Sequence, residues 1–157
     1  MIPSRIERDI LIEAPVDVVW RAVTEPDQIV LWFSDAAAID LRAGGEGTLT
    51  WGQRATTTPI TVRIAVETVE RPRLFSFRWA HPEGEQARQG NSMLVEFTLT
   101  PEGEHTRLRV VETGLAKLEW PEEQKATYVD EHIHGWEVHL AELRKYAAQQ
   151  SGVSSSR

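Results

Sequence analysis

The sequence contains no cysteine, so a disulfide framework, a thiolate nucleophile and a Cys-ligated metal are all excluded. It has no excess of basic charge: 17 Lys and Arg stand against 24 Asp and Glu, a formal net charge of −7. The basic residues are interleaved with acidic ones along the chain, whereas a phosphate backbone or an anionic membrane would require a basic face. No apolar run reaches the length of a membrane span. The opening MIPSRIERD is charged from Arg5 onward and lacks the apolar core of a signal peptide. A cytoplasmic protein is expected, with neither nucleic acid nor a membrane span among its attributes.

What is present is ordinary in bulk and unusual in one respect. Hydrophobic residues make up 41% and charged residues 26% of the 157 positions, a composition typical of globular domains. The length predicts one domain over residues 1–149. The tail that begins at residue 150 and ends SGVSSSR is expected to be disordered to residue 157 for want of apolar residues. The unusual feature is six tryptophans.

Periodicity organises the chain. Ile6, Ile10 and Ile12 alternate in an opening strand. Pro15 suits a first helical position, and Val16, Val19, Trp20 and Val23 give the following helix its apolar stripe. A second short helix from about Pro26 to Leu31 ends on Trp32-Phe33. The period then changes to two. Successive strands carry Ala37, Ile39 and Leu41; Leu49 and Trp51; Ile60, Val62, Ile64 and Val66; Phe75, Phe77 and Trp79; Met93, Val95, Phe97 and Leu99; then Leu108, Val110 and Glu112. Short connections favour an antiparallel meander, and the polar stretch HPEGEQARQGN reads as a mobile surface loop.

Residues 121–149 form the longest periodic segment, with Pro121, Glu122 and Glu123 at its start and Gly152 beyond its end. Tyr128, His132, Gly135, Trp136, His139, Leu140, Leu143 and Ala147 share one face. At about 1.5 Å per residue such a helix is roughly 40 Å long, enough to cross a whole sheet. The expected architecture is α+β: a curved antiparallel sheet of six or seven strands wrapped on a long C-terminal helix, with two short helices after the first strand.

A twisted sheet on a straight helix leaves a gap where it curves away. The rings expected to face that gap are Trp32, Trp51, Phe75, Phe77, Trp79, Phe97 and Trp136; the alternative for any one of them is that it simply fills the core. Gly135 inside a helix costs about 1 kcal/mol relative to alanine, so it marks either a close backbone approach or space left open. The inward polar residues are Glu112, Tyr128, His132 and His139. Glu112 can pair with His132 as an acid–base dyad or a ligand anchor, with Tyr128 as a third candidate; the alternative is a solvated Glu112 and a His132 bonded to backbone. A metal is not expected, because His132 and His134 point to different helix faces and His139 lies two turns from His132. No cofactor motif is present: Gly44-Gly45-x-Gly47 leads into a strand, as a hairpin does. Ser34 and Ser92 lack a nucleophile-elbow context.

Five segments together resemble a known family. EAPVDVVWRAVTEPDQIVLWF, with Ala14, Pro15, Val19, Trp20 and Trp32, is similar to the opening of SRPBCC proteins, the START and birch-pollen-allergen superfamily. The branch it resembles is named for homology to the activator of the heat-shock-protein ATPase. DLRAGGEGTLTW resembles that branch's Gly-Gly hairpin, RPRLFSFRW its central strand, TRLRVVETGL its last strand and HGWEVHLAELRKY its final helix. The resemblance spans about residues 6–147 and implies a helix-grip fold with a pocket between sheet and C-terminal helix. Relatives in the wider superfamily bind lipids, hormones and polyketides, and some catalyse cyclisation or hydrolysis.

Three functions follow as expectations. The first is a protein that binds an apolar or aromatic small molecule without chemistry of its own. The second is an enzyme (a cyclase, dehydratase or hydrolase) using Glu112 and His132 on a hydrophobic substrate. The third is a co-chaperone-like protein-binding module with an exposed apolar patch. A homodimer is compatible with all three.

Overall fold

The period-two segments form seven strands in one antiparallel sheet, and the two amphipathic stretches form helices on its concave side. The computed structural model of the chain describes residues 5–52, 60–82 and 84–155, with side chains to residue 150. The strands are β1 (Arg5–Ile12), β2 (Ala36–Ile39), β3 (Glu46–Trp51), β4 (Ile60–Glu70), β5 (Leu74–Trp79), β6 (Met93–Glu102) and β7 (His105–Thr113). Helices α1 (Val16–Thr24) and α2 (Pro26–Ile29) follow β1, and α3 (Glu122–Ser155) follows a single 3-10 turn at Leu115–Lys117. The order across the sheet is β1-β7-β6-β5-β4-β3-β2. It is a meander from β2 to β7, closed off by β1 against β7. The helix-grip α+β arrangement expected from the sequence is the one observed.

Alternation decides which side chains enter the core. Ile6 and Ile12, Phe75, Phe77 and Trp79, Met93, Val95, Phe97 and Leu99, and Leu108 and Val110 are all buried. A bulge between Val66 and Thr68 shifts the register of β4 against β5, which bends the sheet locally and increases its twist. Ile60, grouped by period with Ile64 and Val66, lies at the free end of β4 and is 65% exposed.

Two termini differ from their sequence signals. Pro15 caps α1 from extended backbone rather than occupying its first turn, and its carbonyl accepts from Val18 and Val19. The backbone of α3 continues through Gly152 to Ser155. Residues 156–157 of the expected tail, like Glu83 in the polar loop, lie outside the described residues.

Helix α3 is held to the rest at several points. Val129, Trp136, Leu140, Leu143 and Ala147 are buried beneath it. Arg8 of β1 pairs with Glu137 at 3.0 Å, and the Tyr146 hydroxyl donates to Gln28 Oε1 of α2 at 3.2 Å. His139 Nδ1 donates to the Trp32 carbonyl at 3.3 Å. These contacts fix which face of α3 looks at the sheet, and so fix the site.

Candidate functional site

Glu112 lies on the inward face of β7 with Leu108 and Val110 and is 0% exposed. A carboxylate removed from water needs strong compensation. Four side-chain donors supply it. Oε1 accepts from His132 Nδ1 at 3.0 Å and from Trp136 Nε1 at 3.0 Å. Oε2 accepts from Trp79 Nε1 at 2.8 Å and from the Tyr128 hydroxyl. Tyr128, His132 and Trp136 are spaced four apart along α3, so one helix face presents all three. Trp79 reaches the carboxylate from the end of β5, two strands away, across Val95, which pairs with both Glu112 and Phe77.

Burial pushes the Glu112 carboxyl up, but the hydrogen bond and charge of His132, with the hydrogen bonds of Tyr128 and Trp136, outweigh it and hold the group below its usual value. Burial, then the charge of Glu112, push the Tyr128 phenol well above its usual value, so it stays protonated and donates. A carboxylate offers about four lone-pair directions, and all four are engaged. Glu112 has no acceptor capacity left for a ligand. An ionised carboxylate can only accept, so the His132 proton facing it sits on Nδ1, and Nε2 is the free ring nitrogen.

Beside this cluster lies a half-open pocket of about 360 Å³ between α3 and the sheet. Its walls are Phe33, Trp51, Val62, Trp79, Ala80 and, from α3, Tyr128, Glu131, His132, Gly135, Trp136 and His139. Phe33, Trp79 and Trp136 stack on one another with centroids 5.5 to 6.2 Å apart. Trp51 stands edge-on to Phe33 at 5.2 Å. A Cβ added to Gly135 would meet nothing within 4 Å, so of the two readings of this glycine the observed one is open space. Burial holds the His139 imidazole below its usual value, which keeps it neutral.

The residues predicted from sequence divide in two. Trp51, Trp79, Tyr128, His132 and Trp136 line the pocket, and Glu112 sits directly behind them. Trp32, Phe75, Phe77 and Phe97 instead surround a closed interior with about 10 Å³ of space. Trp32 donates Nε1 to the Ala22 carbonyl at 2.7 Å and backs Phe33, its ring 5.0 Å away. Sequence reasoning left out Phe33, Val62, Ala80 and Glu131, and it placed His139 on the inward face without assigning it to the ligand site.

Other features are accounted for without a ligand. Ser34 and Ser92 donate their hydroxyls to the carbonyls of Ala36 and Arg88. A broader trough of about 850 Å³ over β4 and the β5–β6 connection is lined by Arg42, Arg63, Arg78 and Arg88. Each of these is paired with Asp40, Glu46, Glu67 or Glu85. Among the described residues no group of three or more His, Asp or Glu is placed to hold a metal, and no helix is long and apolar enough to cross a membrane.

Comparison with known proteins gives a family and a set of folds. The family description "Activator of Hsp90 ATPase homolog 1-like protein" matches residues 13–148. Protein NE0264 from Nitrosomonas europaea superposes with a TM-score of 0.75 at 20% identity, over 93% of this chain and 95% of its own. CalU16 from Micromonospora echinospora gives 0.66 at 28% identity, over 91% and 65%. DynU16, from the dynemicin biosynthetic locus, gives 0.72 at 24% identity over 95% of this chain, which spans about half (49%) of DynU16. Among the curated proteins nothing matches.

Proposed function

The chain belongs to the family of Activator of Hsp90 ATPase homolog 1-like proteins, and on that footing we propose that it binds an aromatic or apolar small molecule between α3 and the sheet. The observation that carries this reading is the pocket, about 360 Å³ with an aromatic wall and a glycine opening into it. That volume is within the range of small-molecule sites, and rings with a few placed polar groups are their usual lining. A helix that kept Gly135 for packing would show a neighbour against it; open space is the feature a ligand would use.

The test is calorimetric titration with naphthalene-sized aromatic compounds. The protein should take up one equivalent, and Gly135→Leu, which projects a side chain into the pocket, should abolish uptake while the far-UV spectrum is retained. Equal uptake by the variant would remove the pocket as the binding site.

A second reading is supported by the 3.0 Å contact between His132 Nδ1 and Glu112. A carboxylate that fixes the tautomer of a histidine leaves the opposite nitrogen able to take a proton from a substrate or a water. In this reading His132 is the catalytic base and Glu112, with no lone pair free, is its positioning residue. Turnover of a bound compound that disappears in His132→Gln, with binding retained, would favour it over simple binding. The protein-docking role remains the third reading, and a chaperone partner held as well by Gly135→Leu as by the native protein would be its signature.

A further inference from the structure

The hydrogen-bonding groups of the pocket are unequally divided between protein and ligand. Among the described residues its walls carry six side-chain N–H or O–H donors, and every one is already given to the protein. Trp51 Nε1 donates to the Phe33 carbonyl at 2.7 Å. Trp79, Trp136, Tyr128 and His132 all donate to Glu112. His139 Nδ1 donates to the Trp32 carbonyl. The lining contains no Lys, Arg, Ser, Thr, Asn or Gln among the described residues. What remains is acceptors: Nε2 of His132 in the tautomer that gives Nδ1–H to Glu112, Nε2 of His139, whose Nδ1–H is given to Trp32, and the carboxylate of exposed Glu131 at the mouth. Among the described residues the sealed side-chain polar atom without a partner is Trp20 Nε1, so neither imidazole Nε2 is sealed off from a bound molecule.

Resting on the reading of this pocket as a small-molecule site, we propose that its ligand is an aromatic compound presenting hydrogen-bond donors, phenolic hydroxyls above all, and not a carboxylate or a purely accepting molecule. A phenol can give its proton in a hydrogen bond to His132 Nε2 or His139 Nε2 while its ring lies against the aromatic wall. A ligand carboxylate would meet only lone pairs, with Glu131 at the entrance and the buried charge of Glu112 behind. An ether or ketone of the same shape would bury the imidazole acceptors without a partner, and an unmade buried hydrogen bond is what discriminates between isosteres.

The inference is tested by isothermal titration of the native protein at about pH 8, where free imidazole is neutral. Four probes are used: naphthalene, a dihydroxynaphthalene, its dimethyl ether, and naphthoate. The dihydroxy compound should bind about tenfold or more tightly than the ether, with naphthoate weakest. His132→Ala and His139→Ala should each narrow the ratio between diol and ether several-fold while still binding naphthalene. The two variants sit on separate hydrogen-bond networks, so misfolding of one leaves the other informative. If the ether matches the diol, or naphthoate binds best, the donor inference is overturned and the pocket stands as a ligand site. If none of the four binds, the small-molecule reading fails and takes this inference with it.

Discussion

Glutamine at position 112 would keep the shape of the side chain and reverse half of its hydrogen bonding. The native carboxylate accepts four hydrogen bonds, whereas an amide has one accepting oxygen and an NH2 that would face two buried donors. Glu112→Gln should therefore lose about 3 kcal/mol of stability by chemical denaturation, the scale of breaking a buried charge network. The same residue shapes the acid limb of the stability profile. Its folded pKa lies below 4.5, so its contribution is complete above about pH 4.5 and is lost as pH falls through the folded value. His139 acts earlier. Burial lowers its folded pKa beneath 6.5, so below that pH the unfolded chain takes a proton that the folded chain resists, and stability declines from there. Denaturation midpoints measured from pH 8 to 3 (about 0.5-unit steps suffice) should lose the first decline in His139→Leu and the second in Glu112→Gln. An unchanged profile in both variants would contradict these assignments.

Among elements, α3 and the turn that leads to it show how differently two glycines can be used. Gly135 is helical with nothing within 4 Å of a built Cβ, so Gly135→Ala should stabilise the protein by about 1 kcal/mol through helix propensity alone. Gly114 has φ of +115°, and its Cβ would lie 2.8 Å from the Ser92 carbonyl oxygen. Gly114→Ala should cost about 2 kcal/mol from backbone strain and contact. Thermal unfolding of the two variants, shifted in opposite directions, checks both. Elements were also the scale at which sequence was most legible. Strict alternation placed Leu108, Val110 and Glu112 on one face of β7, and spacing of four put Tyr128, His132 and Trp136 on one face of α3. The meeting of the two faces at a single carboxylate follows from those patterns once α3 is laid over the sheet. The open Gly135 was visible as an anomaly of propensity, although only the packing around it chose between contact and space.

At the scale of the whole molecule, sequence carried less, and the reasons are geometric. Phe75, Phe77 and Phe97 alternate just as Trp79 does, yet they line a closed interior and Trp79 lines the pocket. Periodicity reports which side of the sheet a residue faces and not how far along the strand the helix has lifted away from it. Phe33 and Ala80 come from connections, where no period exists to read. Neither could their arrival beside Trp136 be foreseen without the curvature of the sheet. Among the described residues, the division of six donors inward and three acceptors outward is likewise a property of assembled neighbours. Each tryptophan in isolation is a donor, and only its position relative to Glu112 or Phe33 decides that none is left for a ligand.

On the proposed reading an aromatic molecule enters between α3 and the sheet, and the six indoles provide reporters inside and outside that space. A ¹⁵N-labelled sample titrated with a dihydroxynaphthalene should show the indole N–H signals of Trp51, Trp79 and Trp136 moving together and saturating. The signal of Trp20, sealed in the core beneath α1, should stay in place. Saturable shifts confined to other indoles, or no shift at the three pocket indoles while the compound binds, would contradict the account.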